Sequence, residues 1–158
     1  MLAASYAGLV ATLVLTRGEL PARVASHFGA GGVPDDWMPR DAYLWSIFGF
    51  GTILPLVLIG SFYIMRFFTP SAMNLSHRDY WLAPERAAET YDAILRFGLW
   101  LASLMVQLLL GVHLLTVDAN TSQPVVLSSY VWWLLGGFLA ALGVLVFALF
   151  RRFKRSPE

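Results

Sequence analysis

The sequence predicts an all-α integral membrane protein with four transmembrane helices. Its 158 residues are 58% hydrophobic and only 13% charged, whereas a soluble domain is typically about 45–50% apolar and about 25% charged. A chain of this length cannot bury so much apolar surface in its own core, so lipid must cover the rest. The hydrophobic residues fall into four segments joined by polar loops. We therefore expect a single membrane domain over residues 1–158, surrounded by a lipid bilayer.

The first apolar segment, residues 2–16, is the shortest. At 1.5 Å per residue it extends for about 23 Å, less than the hydrocarbon core of about 30 Å. A cleaved signal peptide is one alternative, although a basic amino-terminal region and a small-residue cleavage site are missing. A true start codon further upstream is another. We interpret the segment as a short first helix.

The other three segments, at about 42–68, 94–116 and 130–150, are long enough to cross a bilayer. They leave an outer loop at 17–41 and a cytoplasmic loop at 69–93. Four Lys and Arg residues lie from Arg66 to Arg96 and four in the tail after Phe150, whereas three lie in the first loop and none lies in 117–129. Because basic residues stay in the cytoplasm, both termini are predicted to be cytoplasmic.

The outer loop is the most distinctive part of the chain. Leu20, Val24 and Phe28 recur every four residues, Pro21 suits the first position of a helix, and Gly29 suits its end. These features predict a short helix in the segment 18–32, followed by a turn of Gly, Pro and Asp. The candidate binding residues of this loop are His27, Phe28, Asp35, Asp36 and Trp37.

Two histidines raise the question of a metal. His27 and His113 are expected at a similar depth, and with Asp35 or Asp36 they could bind Zn²⁺ or Cu²⁺. Their spacing, however, matches no known metal motif. The alternatives are hydrogen bonds from His27 to loop carbonyls and an interhelical hydrogen bond from His113. We therefore predict neither a metal nor another cofactor.

Several function classes are disfavoured. The chain has no cysteine, and no nucleophile, phosphate-binding or dinucleotide motif is present. No Asp, Glu or Lys lies inside an apolar segment, which argues against an ion-coupled transporter. A net charge of +1 argues against a nucleic-acid partner. The sequence thus predicts a protein that is not an enzyme.

The fourth segment carries small residues at helical spacing. Gly136 and Ala140 are four residues apart, and so are Gly137 and Ala141. This pattern lets a second helix approach closely. That helix could belong to the same chain or to another subunit.

The outer loop also resembles a known family. The order Leu-Pro, His-Phe, Gly, Pro-Asp and Trp is similar to the signature of a bacterial membrane family, the domain of unknown function 1648, which forms the amino-terminal part of SdpI-type immunity proteins. The resemblance covers roughly residues 8–60 and implies a bacterial inner-membrane protein. SdpI-type proteins have further membrane helices after this domain, which this sequence does not predict. The matching residues are Leu20, Pro21, His27, Phe28, Gly32, Pro34, Asp35 and Trp37.

These observations leave three functions open. The first is a non-enzymatic accessory subunit of a larger bacterial membrane complex, bound to other membrane subunits. The second is a stand-alone SdpI-like binder, sensor or immunity protein whose outer loop meets a peptide, toxin or lipid. The third is a transporter or a metal-dependent membrane enzyme.

Overall fold

Long helices dominate the computed structural model, which describes residues 1–69, 73 and 75–154. Three of them are long and apolar enough to cross a membrane, so the prediction of a multi-pass membrane protein is confirmed. The first helix is also apolar but has only 15 residues, and the count of four spans stays a prediction. The elements are α1 (Leu2–Thr16), β1 (Arg23–Phe28), β2 (Pro34–Pro39), α2 (Arg40–Ile64, then a 3₁₀ turn Met65–Phe67), α3 (Arg78–Trp81), α4 (Ala87–Thr121) and α5 (Tyr130–Lys154).

Helix α4 is the centre of the bundle, with α1, α2 and α5 packed against it. Glycines allow two of these close approaches. A Cβ on Gly98 would lie 2.5 Å from the Phe62 ring, and one on Gly111 would lie 2.7 Å from Leu134. Interhelical packing of this kind relies on small residues where backbones come close.

The two ends of the bundle can be distinguished by their contacts. Arg96 and Trp100 of α4 line one cleft with Met1 and another with Arg151. The start of α1 and the last turn of α5 therefore lie at the same end, which we call the tail end. The strands β1 and β2 contact the other end of α2 and α4, which we call the hairpin end.

The prediction of a short helix in the segment 18–32 is wrong, and the mostly helical fold includes one small two-stranded sheet. Strands β1 and β2 form an antiparallel hairpin, with register shifts between Ala25 and His27 and between His27 and Phe28. The backbone polar groups of this segment find partners on β2 and on α4 rather than within a helical turn. Gly29 does not end a helix. The turn instead uses Gly32, whose φ of 74° is the left-handed conformation that glycine adopts without strain.

The helix ends also differ from the predicted limits. Helix α4 runs from Ala87 to Thr121 rather than over 94–116, and α5 runs to Lys154 rather than to residue 150. Helix α2 begins at Arg40 and ends at Ile64 rather than spanning 42–68. Helical hydrogen bonding in α4 and α5 continues into polar turns that a run of apolar residues does not mark, whereas the end of α2 passes into the 3₁₀ turn Met65–Phe67.

The small residues of α5 differ in their surroundings: Gly137 and Ala141 line a cleft with Leu104 and Leu108 of α4, whereas Gly136 and Ala140 have no helix packed against them in the described part of the chain. Gly136, Gly137 and Ala140 are exposed, Ala141 is half-buried, and a Cβ on either glycine would meet nothing within 4 Å. For Gly136 and Ala140, a partner helix within the described chain is therefore not observed.

Candidate binding site on the β-hairpin

The hairpin is attached to α4 through a buried amide. The Asn120 Oδ1 accepts a hydrogen bond from the Ala25 N–H at 2.7 Å, and the Asn120 Nδ2 donates to the Ala25 carbonyl at 3.0 Å. Both residues are buried. The Asn120 side chain thus pairs with β1 as a neighbouring strand would, and it satisfies two backbone groups that would be costly to leave unpaired.

Apolar contacts and an arginine complete the attachment. Val24, which is fully buried, packs in a cluster with Leu20, Tyr43 and Val117. The Arg40 guanidinium, at the start of α2, donates to the Leu20 carbonyl at 3.1 Å. The hairpin therefore has one face fixed on the ends of α2 and α4.

A buried histidine joins three helices directly beneath the hairpin. His113 of α4 is fully buried and lies 2.9 Å from the Thr16 hydroxyl and 3.0 Å from the Tyr43 hydroxyl. The Thr16 hydroxyl donates to the Thr12 carbonyl, so it accepts from the His113 Nε2–H. The His113 Nδ1 then accepts from Tyr43. This arrangement satisfies a neutral imidazole completely, so its role is to hold α1, α2 and α4 together.

The opposite face of the hairpin is open to solvent and carries an ion pair. The His27 Nδ1 lies 2.5 Å from the Asp35 carboxylate, and both side chains are more than half exposed. The hydrogen bond that the His27 ring donates to Asp35, together with the negative charge of Asp35, raises the pKa of His27 above its ordinary value of 6.5, and Asp36 adds to this effect. The pairing therefore favours the protonated, cationic form of the His27 ring, which lies beside the carboxyl groups of Asp35 and Asp36.

The backbone edges of the hairpin are capped by side chains. Because Ala25 directs its N–H and carbonyl to Asn120, its partner Trp37 directs its own groups away from β1. The Trp37 N–H donates to the Asp36 carboxylate at 2.8 Å, and Arg23 donates to the Trp37 carbonyl at 3.4 Å. Pro34 and Pro39 end the strand. Since the Trp37 N–H and carbonyl are already hydrogen-bonded, a ligand is expected to contact the side chains of the hairpin rather than pair with β2 as an additional strand.

The tip of the hairpin rests on the loop before α5. The Leu127 N–H donates to the Gly32 carbonyl at 2.8 Å. A cleft of about 400 Å³ opens between this turn and the start of α5, with the half-buried Phe28 on one side and Trp132 on the other. Phe28 therefore lines a different surface from His27, Asp35, Asp36 and Trp37, which are all exposed.

The two histidines do not share a site. His27 is paired with Asp35 on the exposed face, whereas both ring nitrogens of His113 are engaged by Thr16 and Tyr43. Among the described residues, no group of three or more His, Asp or Glu side chains could hold a metal. Sequence reasoning missed the role of Asn120. An Asn near the end of an apolar segment was the available signal, because polar side chains there usually contact other elements.

One comparison with known proteins gives a match, and the matched segment contains the hairpin. Residues 6–58 match the model of a domain of unknown function, DUF1648. Residues 6–58 belong to the DUF1648 family. This stretch comprises most of α1, the hairpin and the first part of α2, about a third of the chain, and it confirms the resemblance seen in the outer loop. Neither a curated protein nor a solved structure matches the chain.

Proposed function

We propose that this protein is a non-enzymatic binding protein of a bacterial inner membrane, and that the exposed face of its hairpin contacts the ligand. The observation that carries the proposal is the contrast between the two faces. One is fixed through Asn120 and Val24, and the other exposes His27, Asp35, Asp36 and Trp37. Side chains held on a fixed element lose little freedom on binding, which favours affinity.

The orientation follows from the distribution of charge. Three arginines lie at the hairpin end, Arg17, Arg23 and Arg40, whereas the other Lys and Arg residues lie between α2 and α4, in the first part of α4, or from the last turn of α5 onward. Under the positive-inside rule the tail end is cytoplasmic and the hairpin is outside. Both termini are then cytoplasmic, and the ligand comes from the extracytoplasmic side.

A peptide is the ligand class that fits this face best. Asp36 and the His27–Asp35 pair offer hydrogen bonds and negative charge, and the half-exposed Trp37 ring offers a stacking surface for a basic or aromatic side chain. If the relation of DUF1648 to SdpI-type immunity proteins extends to this chain, the peptide is a secreted toxin. That is the narrowest form of the proposal.

One observation favours a second candidate, an accessory subunit of a larger membrane complex. The most apolar stretch of α5 has no buried residue, and Gly136, Gly137 and Ala140 are open along it. A helix of another subunit could approach this small-residue face closely. No observation among the described residues favours a transporter or a metal-dependent enzyme.

Purification from native membranes in mild detergent, followed by mass spectrometry of associated molecules, tests the proposal. The wild type is compared with a hairpin variant, His27→Ala/Asp36→Ala/Trp37→Ala, and a helix variant, Gly136→Leu/Ala140→Leu. Loss of an associated peptide in the hairpin variant alone supports the binder. Loss of membrane subunits in the helix variant alone supports the accessory subunit and overturns the binder.

A further inference from the structure

A cationic cleft lies between α4 and α5 at the tail end, far from the hairpin. Its volume is about 600 Å³. Its inner wall is apolar and aromatic, with Phe97 and Trp100 on α4 and Leu145 and Leu149 on α5. Its rim is charged. The lining of the cleft thus changes from apolar to cationic at the ends of the apolar stretches of α4 and α5. A lipid bilayer changes in the same way from acyl chains to headgroups.

The rim has more basic side chains than acidic ones. Three arginines line it, Arg96, Arg151 and Arg152, against a single acid, Glu89. Arg152 donates to the Glu89 carboxylate at 2.7 Å. Within the described residues, Arg96 and Arg151 form no ion pair. Two guanidinium groups therefore remain available for an anion at the mouth of the cleft.

The walls of this cleft are held in place by neighbouring contacts. The Arg152–Glu89 pair joins α5 to α4. The Trp81 indole of α3 donates to the Phe153 carbonyl at 3.2 Å, and the buried Phe153 packs against Ala93. The cleft is thus part of the packed tail end.

We propose that this cleft binds one anionic phospholipid of the leaflet at the tail end. Its phosphate contacts Arg96 and Arg151, because guanidinium groups match phosphate oxygens in charge and geometry. Its acyl chains lie along Phe97, Trp100 and the leucines of α5. Basic pockets between membrane helices recognise anionic headgroups in this way. A free phosphate would leave the apolar wall unused. The proposal does not depend on the function of the hairpin.

Native mass spectrometry of the full-length protein with added lipids tests this site. Phosphatidylglycerol is expected to bind more tightly than phosphatidylcholine with the same acyl chains. Each arginine near a headgroup contributes about a fivefold change in affinity, so Arg96→Gln/Arg151→Gln should weaken phosphatidylglycerol binding about 25-fold. The variant Arg96→Lys/Arg151→Lys keeps the charge and should retain most of the preference, which also shows that the cleft tolerates substitution.

A matched control uses arginines outside the cleft. Arg66 and Arg86 stack on Tyr63 and Tyr80, and Arg66→Gln/Arg86→Gln should leave the affinity for phosphatidylglycerol unchanged. Equal affinity for the two lipids, or an equal loss in the control variant, would overturn the proposal, since the attraction would then be nonspecific. Displacement of the lipid by inorganic phosphate would also overturn it, because the cleft would then recognise a free anion.

Discussion

The side chain of Asn120 binds both backbone polar groups of Ala25, a residue 95 positions earlier in the chain. This contact ties the hairpin to the end of α4. Its consequence is that the exposed residues of the hairpin keep a fixed relation to the membrane helices. The proposed binding function depends on this relation, and the first prediction concerns it.

Replacing Asn120 with leucine should release the hairpin. The variant leaves the buried Ala25 N–H and carbonyl without partners, and each such group costs about 1–3 kcal/mol. We expect a loss of about 2–6 kcal/mol in the free energy of unfolding, measured by denaturant titration, and faster hydrogen exchange at the Ala25 amide. Thr121→Val is the control, because the Thr121 hydroxyl bonds only to carbonyls of its own helix. An unchanged exchange rate at Ala25 would contradict this contact.

The buried histidine predicts a coupling between helices. Tyr43→Phe removes the donor to the His113 Nδ1, and Thr16→Val removes the acceptor for the Nε2–H. Each should cost about 0.5–1.5 kcal/mol in the free energy of unfolding, the usual range for hydrogen bonds between membrane helices. Tyr63→Phe, on an exposed ring, should cost less. Strict additivity of Tyr43→Phe and Thr16→Val in a double-mutant cycle would show that no chain of hydrogen bonds passes through His113.

The His27–Asp35 pair predicts a pH dependence at the hairpin. Because Asp35 raises the pKa of His27, the ion pair stabilises the hairpin fully below pH 6.5 and the contribution is lost as the pH rises through the raised pKa. An NMR titration of His27 should show the raised pKa, and Asp35→Asn should lower it toward 6.5. Asp118→Asn, on an acid outside the hairpin, is the control. A His27 pKa unaffected by Asp35→Asn would refute the pairing.

Two neighbouring glycines in the turn, Gly32 and Gly31, are expected to respond differently to substitution. A side chain at Gly32 is strained by its φ of 74°, and its Cβ would lie 2.8 Å from the Leu127 carbonyl. Gly32→Ala should therefore lower the free energy of unfolding by about 1 kcal/mol or more and speed exchange at the Leu127 amide. Gly31→Ala, which meets nothing within 4 Å, should do neither. Equal effects of the two substitutions would be inconsistent with the described turn.

The sequence predicted the features that depend on local composition. The three long helices follow from apolar runs of sufficient length, and the family follows from the order of residues in the outer loop. The turn of the loop was also predictable, because glycine and proline act locally. Each of these features is decided within a short window of the chain.

The hairpin could not be predicted in the same way. The spacing of Leu20, Val24 and Phe28 fits a helix, yet Val24 and Ala25 are both buried, and Ala25 pairs with Asn120 on α4. The partners of His113 are likewise on two other helices. Contacts between residues far apart in the chain override local propensity, and a local pattern does not contain them.

Site-specific photo-crosslinking in native membranes identifies the molecules that contact the hairpin and α5. A photoreactive phenylalanine derivative, which keeps an aromatic ring at the position, replaces Trp37 on the hairpin, Leu139 on the small-residue side of α5, or Leu56 on α2, all of which are exposed. The account predicts a discrete peptide adduct at position 37 and only lipid at position 56. That adduct should disappear when Asp36→Ala is added. No adduct at position 37, together with a discrete protein adduct at position 139, would contradict the account and make the protein an accessory subunit.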